Sequence, residues 1–235
     1  MTENFYKWHS PSIDREFEML VFGHSGYPLL LFPTSMGRYY ESKDMGLIES
    51  IRWFIEQGRI KVYCPDSFDT SSWYNKHIPP AERAYNHTRY DRLLMEEVYP
   101  RIAAETGYSR IATAGCSFGG FHAASFSFRH PEIVSYLFSL SGAFDIKSRV
   151  DGHYDDNVYF SNPADFLPGN QHEALWRMGI ILGVADNDVT RAQNEQMSGM
   201  LAQKNISHWL DIRPGTTHDW ATWKAMLPGY LALIR

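Results

Sequence analysis

The chain has 235 residues and a formal net charge of −5, with 44% hydrophobic and 21% charged residues. This usage excludes a disordered, collagen-like or rod-like chain, and the length fits one large domain. No dense Lys/Arg run marks a nucleic-acid or anionic-membrane partner, and no apolar stretch is long enough to span a bilayer.

The first eight residues, Met1 to Trp8, show no basic segment followed by an apolar one. A cytoplasmic protein without a secretory signal is therefore expected. Apolar runs of strand length follow at Phe17 to Phe22 and Leu29 to Phe32, close together around His24-Ser25-Gly26-Tyr27, and this spacing predicts a hairpin. Leu47, Ile48, Ile51, Phe54 and Ile55 form a helical stripe that Gly58 ends. Ile60 to Cys64 reads as a strand, and Tyr90, Leu94, Val98 and Ile102 as a helix kinked at Pro100 and ending at Gly107. Strand Ile111 to Ala114, a helix from Ser117 stopped by Pro131, and strand Val134 to Leu140 come next. After an irregular stretch, strand Ile180 to Val184, a helix from about Thr190 to Lys204, strand Trp209 to Ile212 and a last helix beyond His218 complete the chain. Several strands are apolar throughout, as strands covered on both faces are. Strands alternating with helices imply an α/β fold, a mostly parallel central sheet with helices on both faces. The whole of 1–235 reads as a single domain. The stretch 143–172, rich in Asp and Tyr, reads as a lid-like or binding-loop insertion. Cys64 and Cys116, each ending an apolar run, read as buried thiols.

The segment Gly115-Cys116-Ser117-Phe118-Gly119 is a G-x-S-x-G pattern between a strand and a helix. Such a turn is so tight that only small residues fit two positions either side of the nucleophile. It presents the Ser117 hydroxyl above the sheet and offers the Phe118 N–H to an oxyanion. A serine nucleophile needs a base, and the base needs an acid to hold its tautomer. In chain order these are expected after late strands. Asp186, just beyond the apolar run 180–184, is the first choice of acid, with Asp188 its competitor. Either could instead cap the following helix. Of ten histidines, His218 alone follows both the acid and the last strand. His208 opens that strand, and His122 is expected to pack behind the nucleophile. The loop Pro33-Thr34-Ser35-Met36-Gly37 should supply the second oxyanion donor, from the N–H of Ser35 or Met36. Trp73, Tyr74 and Trp220 fall in loops on the catalytic side, where they could contact substrate or simply pack.

With these residues in place the chain resembles the esterase group of α/β-hydrolases that includes esterase D (S-formylglutathione hydrolase), the feruloyl esterases and the antigen 85 mycolyltransferases. The resemblance runs over nearly the whole chain. It is carried by the strand and loop from Pro28 to Gly37, by Tyr63-Cys64-Pro65-Asp66-Ser67 with Ser71-Ser72-Trp73-Tyr74, by the elbow 115–120, and by Thr217-His218-Asp219-Trp220 with Trp223 and Leu227-Pro228. It implies the α/β-hydrolase fold and a serine hydrolase of carboxylic esters with Ser117 as nucleophile, Asp186 as acid and His218 as base. Asp219 would cap the last helix. The chain departs from the group at Pro33-Thr34, where many members carry His-Gly or Asp-Gly. The implied partner is a small-molecule ester, with no metal or organic cofactor, and a homo-oligomer is compatible with the sequence. An acyltransferase using the same three residues and a non-catalytic binding protein on the same fold are the rival readings.

Overall fold

A computed structural model describes residues 1–234. Eight strands form one sheet: β1 (Glu3–Ser10), β2 (Arg15–Phe22), β3 (Tyr27–Phe32), β4 (Ile60–Pro65), β5 (Ile111–Cys116), β6 (Val134–Leu140), β7 (Gly179–Asn187) and β8 (Trp209–Thr217). Their spatial order is β1-β2-β4-β3-β5-β6-β7-β8. From β4 to β8 every pairing is parallel, whereas β2 runs antiparallel to both β1 and β4.

The hairpin is therefore not the expected one. β2 pairs with β1 in a register from Glu3↔Phe22 to Ser10↔Arg15. β3 lies one strand away, with β4 between them. Leu29, Leu30, Leu31 and Phe32 are all buried, so β3 needs cover on both faces and a neighbour on each edge. β1 escapes a reading by apolar runs because it is a largely exposed edge strand; only Tyr6 and Trp8 pack against the core.

Alternate residues of the buried strands point to opposite faces. Leu30, Phe32, Tyr63, Ile111, Leu137 and Leu182 face one core, and Leu29, Leu31, Val62, Ala112, Phe138 and Ile181 the other. Short helices α1 (Glu41–Asp44), α2 (Leu47–Ser50) and α3 (Arg52–Glu56) follow β3. The stripe Leu47, Ile48, Ile51, Ile55 from α2 and α3 covers the second face, in two pieces that join at Ile51. Helix α4 (Pro80–Leu93) passes through a π-helical turn, Leu94–Val98, into α5 (Tyr99–Thr106). Pro100 has no N–H to donate, and the wider turn just before it accommodates the break in the ladder. The same turn aims Glu97 at the β1–β2 hairpin, where it accepts from Trp8 Nε1 at 2.7 Å and Ser10 Oγ at 2.7 Å. Gly107, in the left-handed region at φ 74°, ends α5.

Helix α6 (Phe118–Arg129) packs on the first face with α4, α5 and α9 (Arg191–Gln203), and α10 (Trp220–Leu231) packs on the second. The stretch 143–172 holds a 3₁₀ turn at Lys147–Arg149 and helices α7 (Asp156–Ser161) and α8 (Pro163–Phe166). Ile146, Val150 and Val158 are buried within it, so this insertion is packed against the body. Cys64 and Cys116 are free and buried. Among the described residues no helix is long and apolar enough to cross a membrane.

Candidate active site

Ser117 joins β5 to α6 at φ 56° and ψ −119°, a strained conformation for a residue with a side chain. The flanking glycines make that turn feasible. A Cβ on Gly115 would run into the Gly119 backbone. One on Gly119 would lie 2.5 Å from the Pro33 carbonyl oxygen, and one on Gly120 2.6 Å from Ser139 Oγ. The close approach of Gly119 to Phe32 and Pro33 also seats the loop after β3 directly against the start of α6.

His218 stands between β8 and α10. Its Nε2 is 2.9 Å from Ser117 Oγ, and its Nδ1 is 2.8 Å from Asp188 Oδ1. With the proton on Nδ1 directed at the carboxylate, Nε2 is free to accept from the serine hydroxyl. The Trp223 ring packs edge-on against the imidazole at 5.0 Å, and its Nε1 donates to Ser141 Oγ at 2.9 Å. These contacts fix the plane of the ring.

The carboxylate against His218 is thus Asp188 and not Asp186. Strand β7 continues to Asn187, past the last apolar residue, and its register with β8 shifts between Ala185 and Asn187. Asp186 therefore still belongs to the strand and turns toward the end of β8. There it accepts from the N–H groups of Gly215 at 2.8 Å and Thr216 at 3.1 Å. It anchors the segment leading to His218 without touching the imidazole. Asp188 begins the loop, and its side chain is fully shielded from solvent. Its Oδ1 also accepts from the Thr190 N–H and Oγ1, both at 2.8 Å, ahead of α9. Burial pushes the Asp188 carboxyl up, but hydrogen bonds from His218, Ser141 and Thr190 outweigh it and hold the group below the usual carboxylate range. Asp219 caps α10, accepting from the Thr222 N–H at 2.8 Å.

The loop after β3 can be accounted for group by group. Thr34 N–H donates to Glu41 Oε2 at 2.7 Å, Met36 N–H to Asp69 Oδ2 at 2.9 Å, and Gly37 N–H to the Thr34 carbonyl at 2.9 Å. Of residues 34–37, Ser35 alone has an N–H with no acceptor among the described residues. The Phe118 N–H, in the first turn of α6, has no intrahelical acceptor. Asp69 is fully buried and is shared with His122 Nε2 at 2.8 Å. That pair holds Met36 at φ 57° from below. No signal in the sequence marked Glu41 or Asp69, because their partners come together only through the folded loops.

Tyr74 donates to Ser35 Oγ at 2.6 Å, and its ring meets that of Phe118 edge-on at 5.3 Å, so it stands beside the loop after β3 and the start of α6. Trp73 does not reach the surface. Its exposure is 0%, and it packs on His87 and Phe121 beneath the surface. Ser72 and Trp73 both turn inward, and the chain reaches the surface again only at Tyr74. Trp220 packs on Trp223 at 5.1 Å, one ring removed from His218. His208 bonds Ser198 Oγ at 2.7 Å, away from Ser117.

The family model described as "Putative esterase" matches residues 55–234. No curated protein matches the chain by sequence. Among solved structures, a ferulic acid esterase superposes with a TM-score of 0.78 at 14% identity, covering 98% of this chain and 96% of that one. The fluorophosphonate-binding serine hydrolase F of Staphylococcus aureus, with substrate bound, gives 0.78 at 18% identity, covering 98% and 97%. The S-formylglutathione hydrolase FrmB of Staphylococcus aureus gives 0.74 at 16% identity, covering 98% and 95%. These likenesses identify the fold as that of the α/β-hydrolases, and the family match makes the chain a member of the esterase family and a carboxylic ester hydrolase.

Proposed function

We propose that the chain cleaves small carboxylic esters through an acyl-enzyme on Ser117, with His218 as general base and acid and Asp188 as the residue that orients it. The observation that carries this reading is the continuous chain of hydrogen bonds from Ser117 Oγ through both imidazole nitrogens to Asp188. Ser117 Oγ bonds to the ester carbonyl carbon while its proton passes to His218 Nε2. The carbonyl oxygen becomes an oxyanion held by the N–H groups of Phe118 and Ser35. Each such donor is worth roughly 3 kcal/mol to the transition state. Ser35 is preferred to Met36 because the Met36 N–H is already donated to Asp69. The tetrahedral species then expels the alcohol, which takes the proton from His218. Water repeats the two steps on the acyl-enzyme, releasing the acid and restoring the Ser117 hydroxyl. Asp188 stabilises the imidazolium that forms in each half-reaction.

A fluorophosphonate probe tests this directly. The wild type should be labelled at Ser117 alone, and Ser117→Ala should lose both labelling and ester turnover. Labelling of a different serine would overturn the assignment.

A further inference from the structure

Arg149 lies at the end of the 3₁₀ turn inside the insertion, between the buried residues Ile146 and Val150. Its backbone is clamped, because its carbonyl accepts from Arg83 Nη1 at 2.8 Å. Its side chain is clamped as well. The guanidinium lies over the Tyr74 ring, 4.1 Å from the centroid, and Nη2 donates to Tyr74 Oη at 2.8 Å. Tyr74 in turn donates to Ser35 Oγ, and the Phe118 ring is 5.8 Å from the guanidinium. Arg149 therefore stands beside the side chains of both residues whose N–H groups would hold the oxyanion.

Among the described residues Arg149 has no carboxylate partner, whereas Lys147, Lys76 and Arg83 around it each lie against one. Lys147 pairs with Asp165 at 3.0 Å and Lys76 with Asp151 at 3.3 Å. Arg83 also pairs with Asp151, at 2.6 Å, and His153 pairs with Asp155 at 3.1 Å. Among the described residues no carboxylate pairs with Arg149. A guanidinium has five N–H donors, and only one of these is spent on Tyr74. A cation held rigid before binding loses little entropy when it takes a ligand, and its fork matches a carboxylate.

We propose that Arg149 is an anion subsite beside the oxyanion loop, and that the preferred ester substrates carry a carboxylate near the scissile carbonyl. The proposal rests on the esterase reading above and adds the substrate class to it. Arg149 is a specificity residue here; the bond-breaking steps need only the groups already named.

The test uses matched pairs of substrates. On the acyl side these are p-nitrophenyl monoesters of dicarboxylic acids of increasing length, against neutral n-acyl esters matched carbon for carbon. On the alcohol side, 4-acetoxybenzoate is set against phenyl acetate. Spontaneous hydrolysis is subtracted. Arg149→Met should lower kcat/KM for at least one carboxylate ester by about tenfold or more, the scale of a charged hydrogen bond. The neutral partner should change by less than about threefold. Arg149→Lys should restore part of the loss. An equal loss on charged and neutral esters, or no selective loss on any pair, would overturn the proposal. Labelling of Ser117 and turnover of the neutral esters by the wild type report on the esterase reading separately.

Discussion

Asp188→Asn is nearly isosteric and removes one charge from the site. The carboxylate faces His218 Nδ1 at 2.8 Å with its side chain cut off from solvent. At an effective dielectric constant of about 20, two unit charges at that separation attract by about 6 kcal/mol. That is an upper figure, since each charge is spread over its group. Losing most of it when the imidazolium forms predicts a fall in kcat on the order of 10⁴, or about 5 kcal/mol in the barrier. Asp186→Asn should behave differently. Its carboxylate binds two backbone N–H groups of the β8 loop, and the amide oxygen can keep one of them. A loss of less than about tenfold is expected there. The two variants are compared side by side for kcat and kcat/KM on p-nitrophenyl acetate and for the rate of fluorophosphonate labelling, with circular dichroism to check folding. If Asp186→Asn proves as damaging as Asp188→Asn, or more so, the reasoning from the imidazole contact is wrong.

The depressed Asp188 carboxyl also ties stability to pH. Its native pKa lies below the unfolded value of about 3.9, so its contribution is fully present above that pH and is lost as the pH falls through the native value. The thermal midpoints of wild type and Asp188→Asn should differ near neutrality and converge on acidification below about pH 4; a widening gap in acid would contradict this. Trp73→Ala should cost about 3–5 kcal/mol of stability, or on the order of 10 °C in Tm, because it empties a fully buried volume. The KM for p-nitrophenyl acetate should move little. A raised KM with an unchanged Tm would return Trp73 to the substrate surface.

The strand-to-helix turn at Ser117 and the histidine that faces it were legible in the sequence. Gly115 is a local requirement of the turn around Ser117, Gly119 and Gly120 allow close approach to Pro33 and Ser139, and a glycine needed for close approach shows itself by being there. His218 could be reached by elimination, since it alone of the ten histidines follows β8. The alternation of wholly apolar strands with helical stripes likewise announced a mostly parallel sheet. What lay beyond the sequence was every choice between near neighbours. Asp186 and Asp188 are two residues apart in a polar run, and only the extension of β7 and its shifted register against β8 decide which one meets the imidazole. Ser35 and Met36 are adjacent, and a buried aspartate 33 residues away from Met36 removes one of them as a donor. The partner of β2 depended on β4, which is formed later in the chain and inserts between β2 and β3. Local conformation is set by a residue and its immediate neighbours. Hydrogen-bond partners in a folded core are set by distance in space, and that quantity exists only once the sheet has assembled.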